Sequence, residues 1–397
     1  MKAKKIIYYL LGSTLVVIFF VGILEFSTRT ISWVTNKGFW LSLHEFEAFD
    51  KTIESKFKWH PFTGVTFRPN ISFKGSHPNQ KTKSMILVDR YGFLSPGKNL
   101  KKEKSANEIR IATIGGSTTA NVHLSYEENW PGYLGILVQD ALPDNTITVI
   151  NAGVPGYDTA QSIGNLALRV MPLKPDIVII YHAYNDLKAI RANIKFNPDY
   201  SHIHNTPLGF HQKPDFIIRL LNNSMFYVRT RKKYREYVAK KNFFDNYNNM
   251  KLGKNRLANI PKEALLTFKQ HIRSLISIAK AEGSKVILSS FATLHNPHTD
   301  FTSPDQIKRL SGLKKVELDM IMHLVPGLQL SSIFDGINKY NDVLKSIAIK
   351  EKIGWVDNAS FIPHKEKYFV DRVHFSSEGA KCVAENLLPV VLEKLKT

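Results

Sequence analysis

The stretch Ile109-Arg-Ile-Ala-Thr-Ile-Gly-Gly-Ser-Thr-Thr119 decides the fold. Its first half is rich enough in β-branched residues to form a strand, Ile109 to Ile114. Gly115 and Gly116 then permit a sharp exit and present Ser117 just beyond the strand's end. In an open parallel α/β sheet, reacting groups collect outside the carboxyl ends of the strands. Ser117 is thus a candidate nucleophile, although Gly-Gly-Ser also occurs in ordinary loops.

Downstream a βα rhythm sets in. A helix is expected over about 130–141 and a strand over Thr146–Ile150, which ends in Asn151-Ala-Gly153. A helix over about 159–170 leads to a third strand, Asp176–Tyr181. That strand is apolar on both faces, as a central parallel strand should be. It ends in His182-Ala-Tyr-Asn-Asp186. Leu265, Phe268, Ile272, Leu275, Ile276 and Ala279 form a helical stripe that Gly283 would cap. Strands over Lys285–Ser289 and Gly354–Asp357 follow, with helices marked by Ile337 to Ala348 and by Ser377 to Lys396. Such alternation implies a parallel sheet with helices on both faces, and five strands fit a flavodoxin-like order. The expected fold class is α/β, with three layers. Residues of about 187–261 and 295–334 break the rhythm and read as insertions. The first carries the basic run Arg229-Thr-Arg-Lys-Lys-Tyr-Arg235. That run is most simply a solvated face, with contact to membrane phosphates or an acidic glycan as its functional reading.

Upstream, the polar and basic stretch Pro96–Ser105 reads as a boundary. It separates a domain of 108–397 from a mixed region of 28–107. Within that region 45–57 reads as a helix, and 60–67 and 84–88 read as short strands. Residues 1–27 read as an anchor. Lys2, Lys4 and Lys5 precede Ile6–Leu24, which carries no charge and is close to the minimum length for a transmembrane helix. The positive-inside rule then keeps the N-terminus cytoplasmic and sends the rest to the extracytoplasmic side. A cleaved signal peptide is the competing reading, but the apolar run is long and no small-x-small site follows it.

The net charge is +20. Nucleic acid, anionic lipid and acidic glycan all suit such a charge. The outward topology argues against nucleic acid. Cys382 is the only cysteine, so no intrachain disulfide and no cysteine-based zinc site is expected.

A serine hydroxyl is a poor nucleophile until a base takes its proton. Val370-Asp-Arg-Val-His-Phe375 precedes the last helix and offers one. In a turn, the spacing of Asp371 and His374 lets the carboxylate reach the imidazole nitrogen that faces away from the nucleophile. His374 is the candidate base, and Asp371 would fix its tautomer. The backbone N–H groups of Ser117 and Gly153 and the Asn185 amide are candidate oxyanion donors. Gly156 reads as a plain turn glycine, Asp186 as a helix cap, and His123 as a residue that would line the pocket. His295, His298 and Asp300, like His202 and His204, read as solvated loop residues. No metal or cofactor is expected.

Four blocks now carry a resemblance. Gly115-Gly-Ser117-Thr, Asn151-Ala-Gly153-Val-Pro-Gly, Ala183-Tyr-Asn185-Asp and Asp371-Arg-Val-His374 resemble those of the SGNH (GDSL-like) hydrolase superfamily, in that family's order. The resemblance covers about 108–397 without the insertions. It implies a three-layer flavodoxin-like fold and metal-free cleavage or transfer of ester-linked acyl groups. It also implies Ser117 as nucleophile, Gly153 and Asn185 as oxyanion donors, and Asp371 with His374 as orienting acid and base. The first block departs from Gly-Asp-Ser-Leu, and Ala183 stands where glycine is usual. The expectation is a membrane-anchored serine esterase acting on short acyl groups, with a cell-envelope glycan as the suggested substrate. An O-acyltransferase using the same acyl-enzyme, and a non-catalytic glycan-binding or scaffold protein, are the rivals.

Overall fold

The structure is a computed structural model, and it describes residues 2–35, 56–75, 77, 84–95, 100–192, 194–204, 256–295 and 324–396, with scattered residues between 221 and 237. Contacts divide the chain into two compact units, 1–56 with 206–246, and 57–205 with 247–397.

The larger unit holds the sheet. Its strands are β5 (Glu108–Gly115), β6 (Thr146–Asn151), β7 (Ile177–Tyr181), β8 (Lys285–Ser289) and β9 (Gly354–Val356). They are all parallel, in the order β6-β5-β7-β8-β9. This is the flavodoxin-like order. β7 is buried along its whole length, which explains why its sequence is apolar on both faces. The register pairs Thr113 with Asn151 and Gly115 with Tyr181, so three strand ends open at one edge.

Helices cover both faces. α2 (Ser117–Ala120) is a single turn after β5. α3 (Trp130–Ala141) starts where the Asn129 side chain accepts from Gly132 N and Pro131 sits in the first turn. α4 (Thr159–Asn165) starts with a capping box between Asp158 and Gln161. It then passes into a π turn, Leu166–Val170, where the sequence suggests one regular helix. α5 (Lys262–Ala281) buries the expected stripe, and Gly283 follows it at φ +81°. α6 (Leu330–Glu351), the one-turn α7 (Asn358–Phe361) and α8 (Ser377–Lys396) are the remaining α-helices of this unit among the described residues. α3 packs with α8 on one face, and α4, α5 and α6 pack on the other.

The boundary expected at 96–105 does not delimit a compact unit. Two antiparallel hairpins precede it, β1 (Phe57–His60) with β2 (Gly64–Phe67), and β3 (Ser72–Gly75) with β4 (Ser84–Leu87). Phe67, Ile86, Val88 and Leu94 bury their side chains against Ala120, Val154 and Tyr157 of the main domain. Leu94 N donates to Asn151 O at 3.2 Å, and Tyr157 Oη donates to Val65 O. Hydrophobic burial thus makes the hairpins part of the larger unit. The expected strand over 60–67 is two strands broken at Pro61, and β3 was not anticipated. The helix expected over 45–57 falls almost wholly outside the described residues, and Phe57 opens β1.

In the smaller unit, α1 (Lys2–Val34) is one continuous helix. Its stretch Leu11–Val34 is long and apolar enough to cross a membrane, by length and composition. Glu25 accepts from Ser224 Oγ and from the backbone N–H groups of Met225 and Phe226, at 2.7, 2.9 and 3.0 Å. Arg229 donates to Ser32 Oγ at 2.7 Å. Part of the basic insertion therefore packs on the N-terminal helix.

Candidate active site

Strand β5 delivers the first group. The carbonyl of Gly116 accepts from Thr119 N and Ala120 N, which closes α2 directly after the strand and leaves Ser117 at its first position. Trp130 Nε1 donates to Thr118 O, and Asn151 Nδ2 donates to Thr119 O. The turn that carries Ser117 is thereby tied to α3 and to the end of β6.

Ser117 Oγ lies 2.8 Å from His374 Nε2. His374 Nδ1 lies 2.7 Å from Asp371 Oδ2. Asp371 Oδ1 accepts from the backbone N–H groups of Val373 and His374, which folds 371–374 into the turn that presents the ring. Ser117 and a turn 257 residues further along the chain thus form one hydrogen-bonded chain. Such a chain lets the imidazole take the hydroxyl proton while the carboxylate supports the resulting imidazolium.

A fourth group joins them. His77 Nε2–H donates to Asp371 Oδ2 at 3.1 Å across 294 residues of sequence. The His77 and His374 rings are 5.8 Å apart. His77 follows β3, so the N-terminal hairpins reach the site. Burial alone would raise the Asp371 carboxyl, but hydrogen bonds from His374 and His77 outweigh it and hold the group well below the ordinary carboxylate range. His123 is not among the pocket-lining residues. It is buried behind His374, with ring centroids 6.0 Å apart, and its Nε2–H donates to Phe375 O at 2.8 Å. Burial pushes its pKa down to about 4, and the charges of His374 and His77 add to the fall. A neutral His123 is a spacer here.

Asn185 lines the pocket beside Ser117 and His374. Its Nδ2 donates to Tyr157 O at 2.7 Å, which uses one amide proton and leaves the other. Gly153 differs from the expectation. Its N–H donates to Asn151 Oδ1 at 3.1 Å, inside its own turn. A Cβ there would lie 2.5 Å from Ala120 N, so the residue allows β6 to pack on the backbone of α2. Gly156 sits in the 154–157 turn at φ +90°, where a Cβ would meet nothing within 4 Å. Among the described residues its N–H makes no hydrogen bond. The same turn presents the Tyr157 carbonyl that holds Asn185.

His77, Asp371 and His374 also bring their donor atoms within 4.8 Å of one another. This is a set that zinc accepts. Binding there would displace the proton between His374 and Asp371, so metal and proton relay exclude each other. Of the other histidines, His202 bonds Ala189 O and His204 bonds Asp158. His298 and Asp300 lie outside the described residues.

Asp186 is buried, and Thr159 N and Oγ1 both donate to its Oδ1. It thus serves the start of α4, a neighbouring helix, as well as the turn it opens.

Residues 113–382 match the model of the GDSL-like lipase/acylhydrolase family. The chain belongs to that family. It is an ester-hydrolysing enzyme of the SGNH type. Solved structures similar to it include a GDSL-like lipase from Bacteroides thetaiotaomicron, at 15% identity, covering 72% of this chain and 88% of that one, with a TM-score of 0.37. Another is a variant of an acetyl xylan esterase from Geobacillus stearothermophilus, at 15% identity, covering 73% and 97%, with a TM-score of 0.39. No curated protein matches the chain in sequence.

Proposed function

We propose that the chain is a membrane-anchored serine esterase that removes short acyl groups through Ser117, His374 and Asp371. The observation that carries this reading is the unbroken run of hydrogen bonds from Ser117 Oγ through His374 to Asp371. Ser117 attacks the ester carbonyl as His374 Nε2 takes its proton. The proton then passes to the leaving alcohol, and water enters by the same route to release the acid. The Ser117 N–H and the second Asn185 amide proton are the donors proposed for the oxyanion. The Gly153 N–H is already committed to Asn151, so the Gly156 N–H is the candidate third donor.

The anchor rests on α1, and its orientation rests on Lys2, Lys4 and Lys5 ahead of the apolar run. The cavity beside Ser117, about 50 Å³, suits a short acyl group better than a long chain. A cell-envelope glycan fits the extracytoplasmic reading. An acceptor hydroxyl in place of water would make the same acyl-enzyme a transferase, and product analysis with a glycan acceptor separates the two.

The test is labelling of the full chain in detergent with a fluorophosphonate, wild type beside Ser117→Ala. Labelling of the wild type alone is expected, together with loss of p-nitrophenyl acetate turnover in the variant. Equal labelling of both chains would remove Ser117 from the mechanism.

A further inference from the structure

The pocket beside Ser117 carries two cations that the proton relay does not use. Lys188 and Arg372 both line it, and the described lining residues include no aspartate or glutamate. Arg372 is 2% exposed. Its Nε donates to Tyr184 Oη at 3.1 Å, and its guanidinium lies 5.1 Å from the centre of the Tyr184 ring. Both contacts are with a neutral group. Among the described residues neither Arg372 nor Lys188 forms an ion pair.

The carboxylates that act on Lys188 through space are Asp158 and Asp186. Asp158 is bound to His204 at 2.7 Å, and Asp186 accepts from Thr159. Burial pulls the Lys188 pKa down to about 8; Asp158 and Asp186 oppose the fall, and Arg372 and Arg191 add to it. Burying cations without a directly paired counter-charge is costly. Two of them converging on one open pocket make sense when an anion enters it. Among the described residues no hydrogen bond engages the Nη atoms of Arg372, and Lys188 adds a point charge, a combination that suits a planar or tetrahedral oxyanion.

We infer that Lys188 and Arg372 form a subsite for an oxyanion of the substrate, a carboxylate or phosphate carried close to the ester that Ser117 attacks. The inference rests on the esterase reading of the site. It narrows the substrate class to acyl esters of acidic compounds, such as acetylated uronic acids or phosphorylated sugars.

The experiment compares kcat/KM of the full chain in detergent on four acetylated sugars. These are O-acetyl glucuronic acid, its methyl ester, O-acetyl glucose 6-phosphate and O-acetyl glucose. At least one acidic sugar should exceed its neutral partner by about tenfold or more, mainly through KM. The acidic sugar that is favoured identifies carboxylate or phosphate. Lys188→Gln should bring that ratio to within about threefold of one, while Lys188→Arg should retain the preference. A wild-type ratio near one, with the neutral esters turned over, overturns the subsite and leaves the esterase reading standing. If no acetyl sugar is turned over, the esterase reading is the one at fault. Equilibrium binding to the Ser117→Ala chain then decides the subsite. Tighter binding of either acidic sugar than of its neutral partner, lost on adding Lys188→Gln, upholds it, and equal binding overturns it.

Discussion

Asp371 Oδ2 takes N–H donors from two histidines, and only one of them touches the nucleophile. A hydrogen bond to a charged acceptor contributes about 1.5–3 kcal/mol. Removing the outer one leaves the carboxylate less well held and His374 less firmly oriented. His77→Gln should therefore lower kcat by about tenfold, which corresponds to about 1.4 kcal/mol. The acidic limb of its kcat/KM profile should also move, which a purely structural loss would leave in place. Asp371→Asn should cost far more, about 10⁴, because it changes the tautomer the ring is held in. Steady-state rates across pH on p-nitrophenyl acetate check both. A second pH effect belongs to Lys188. Its lowered pKa means the ammonium is charged below about 8 and neutral above it. Preference for an acidic ester over its neutral partner in kcat/KM should fall as pH rises through about 8. A flat preference to pH 10 would assign the recognition to Arg372 alone. Ser117, Asp371, His374 and Asn185 were legible because each stands at a strand end or in a turn of fixed spacing. His77 gave no signal. It stands in a polar stretch of the sequence with proline next to it, and only the packing of the hairpins brings it to Asp371.

Among the elements, α2 and the two turns beside it decide where Ser117 points. The backbone of α2 rests on Gly153, and Asn151 bonds both Thr119 O and Gly153 N. A methyl group at 153 would press on Ala120 N and on the Thr119 carbonyl carbon, at 2.5 and 2.9 Å, and these are backbone atoms that cannot turn aside. Overpacking of this kind costs about 1–3 kcal/mol. Gly153→Ala should therefore lower Tm by several degrees and slow fluorophosphonate labelling by displacing Ser117. Gly156→Ala meets open space but keeps a positive φ, at a cost of about 1–2 kcal/mol. It should lower Tm while retaining the labelling. Labelling at the wild-type rate in Gly153→Ala would show that α2 does not depend on this contact. The sheet itself was readable because β5, β6, β7 and β8 are five to eight residues long with β-branched residues in each, and periodic helices alternate with them. The hairpins were less so. Their strands are four residues each and partly polar, and the choice between Gly153 and Gly156 turns on φ and on close approach, which residue type does not encode.

At the scale of the whole molecule, the chain returns to its own N-terminal helix after about 200 residues. The uncharged apolar part of that helix ends at Leu24, and the next residue, Glu25, opens the more polar stretch Glu25-Phe-Ser-Thr-Arg-Thr30. A half-buried carboxylate needs a partner. Glu25 has several: Arg29 Nε at 2.7 Å, Ser224 Oγ, and the N–H groups of Met225 and Phe226. Those last N–H groups open the helical turn 225–231, so a carboxylate from α1 caps a helix of the distant basic insertion. Loss of a capping side chain costs about 0.5–2 kcal/mol. Glu25→Ala should loosen the first turn of 225–231 by about that much, and its open population should rise by about tenfold. Where opening is fast relative to cleavage, proteolysis reports that population. Trypsin should therefore cut after Arg229 and Arg231 about tenfold faster in Glu25→Ala, in detergent and without denaturant. Glu25→Gln, which keeps one acceptor oxygen without the charge, should fall between the two. Equal cleavage rates in all three chains would mean that the insertion is held by Arg229 on Ser32 and that the Glu25 cap adds nothing to its docking.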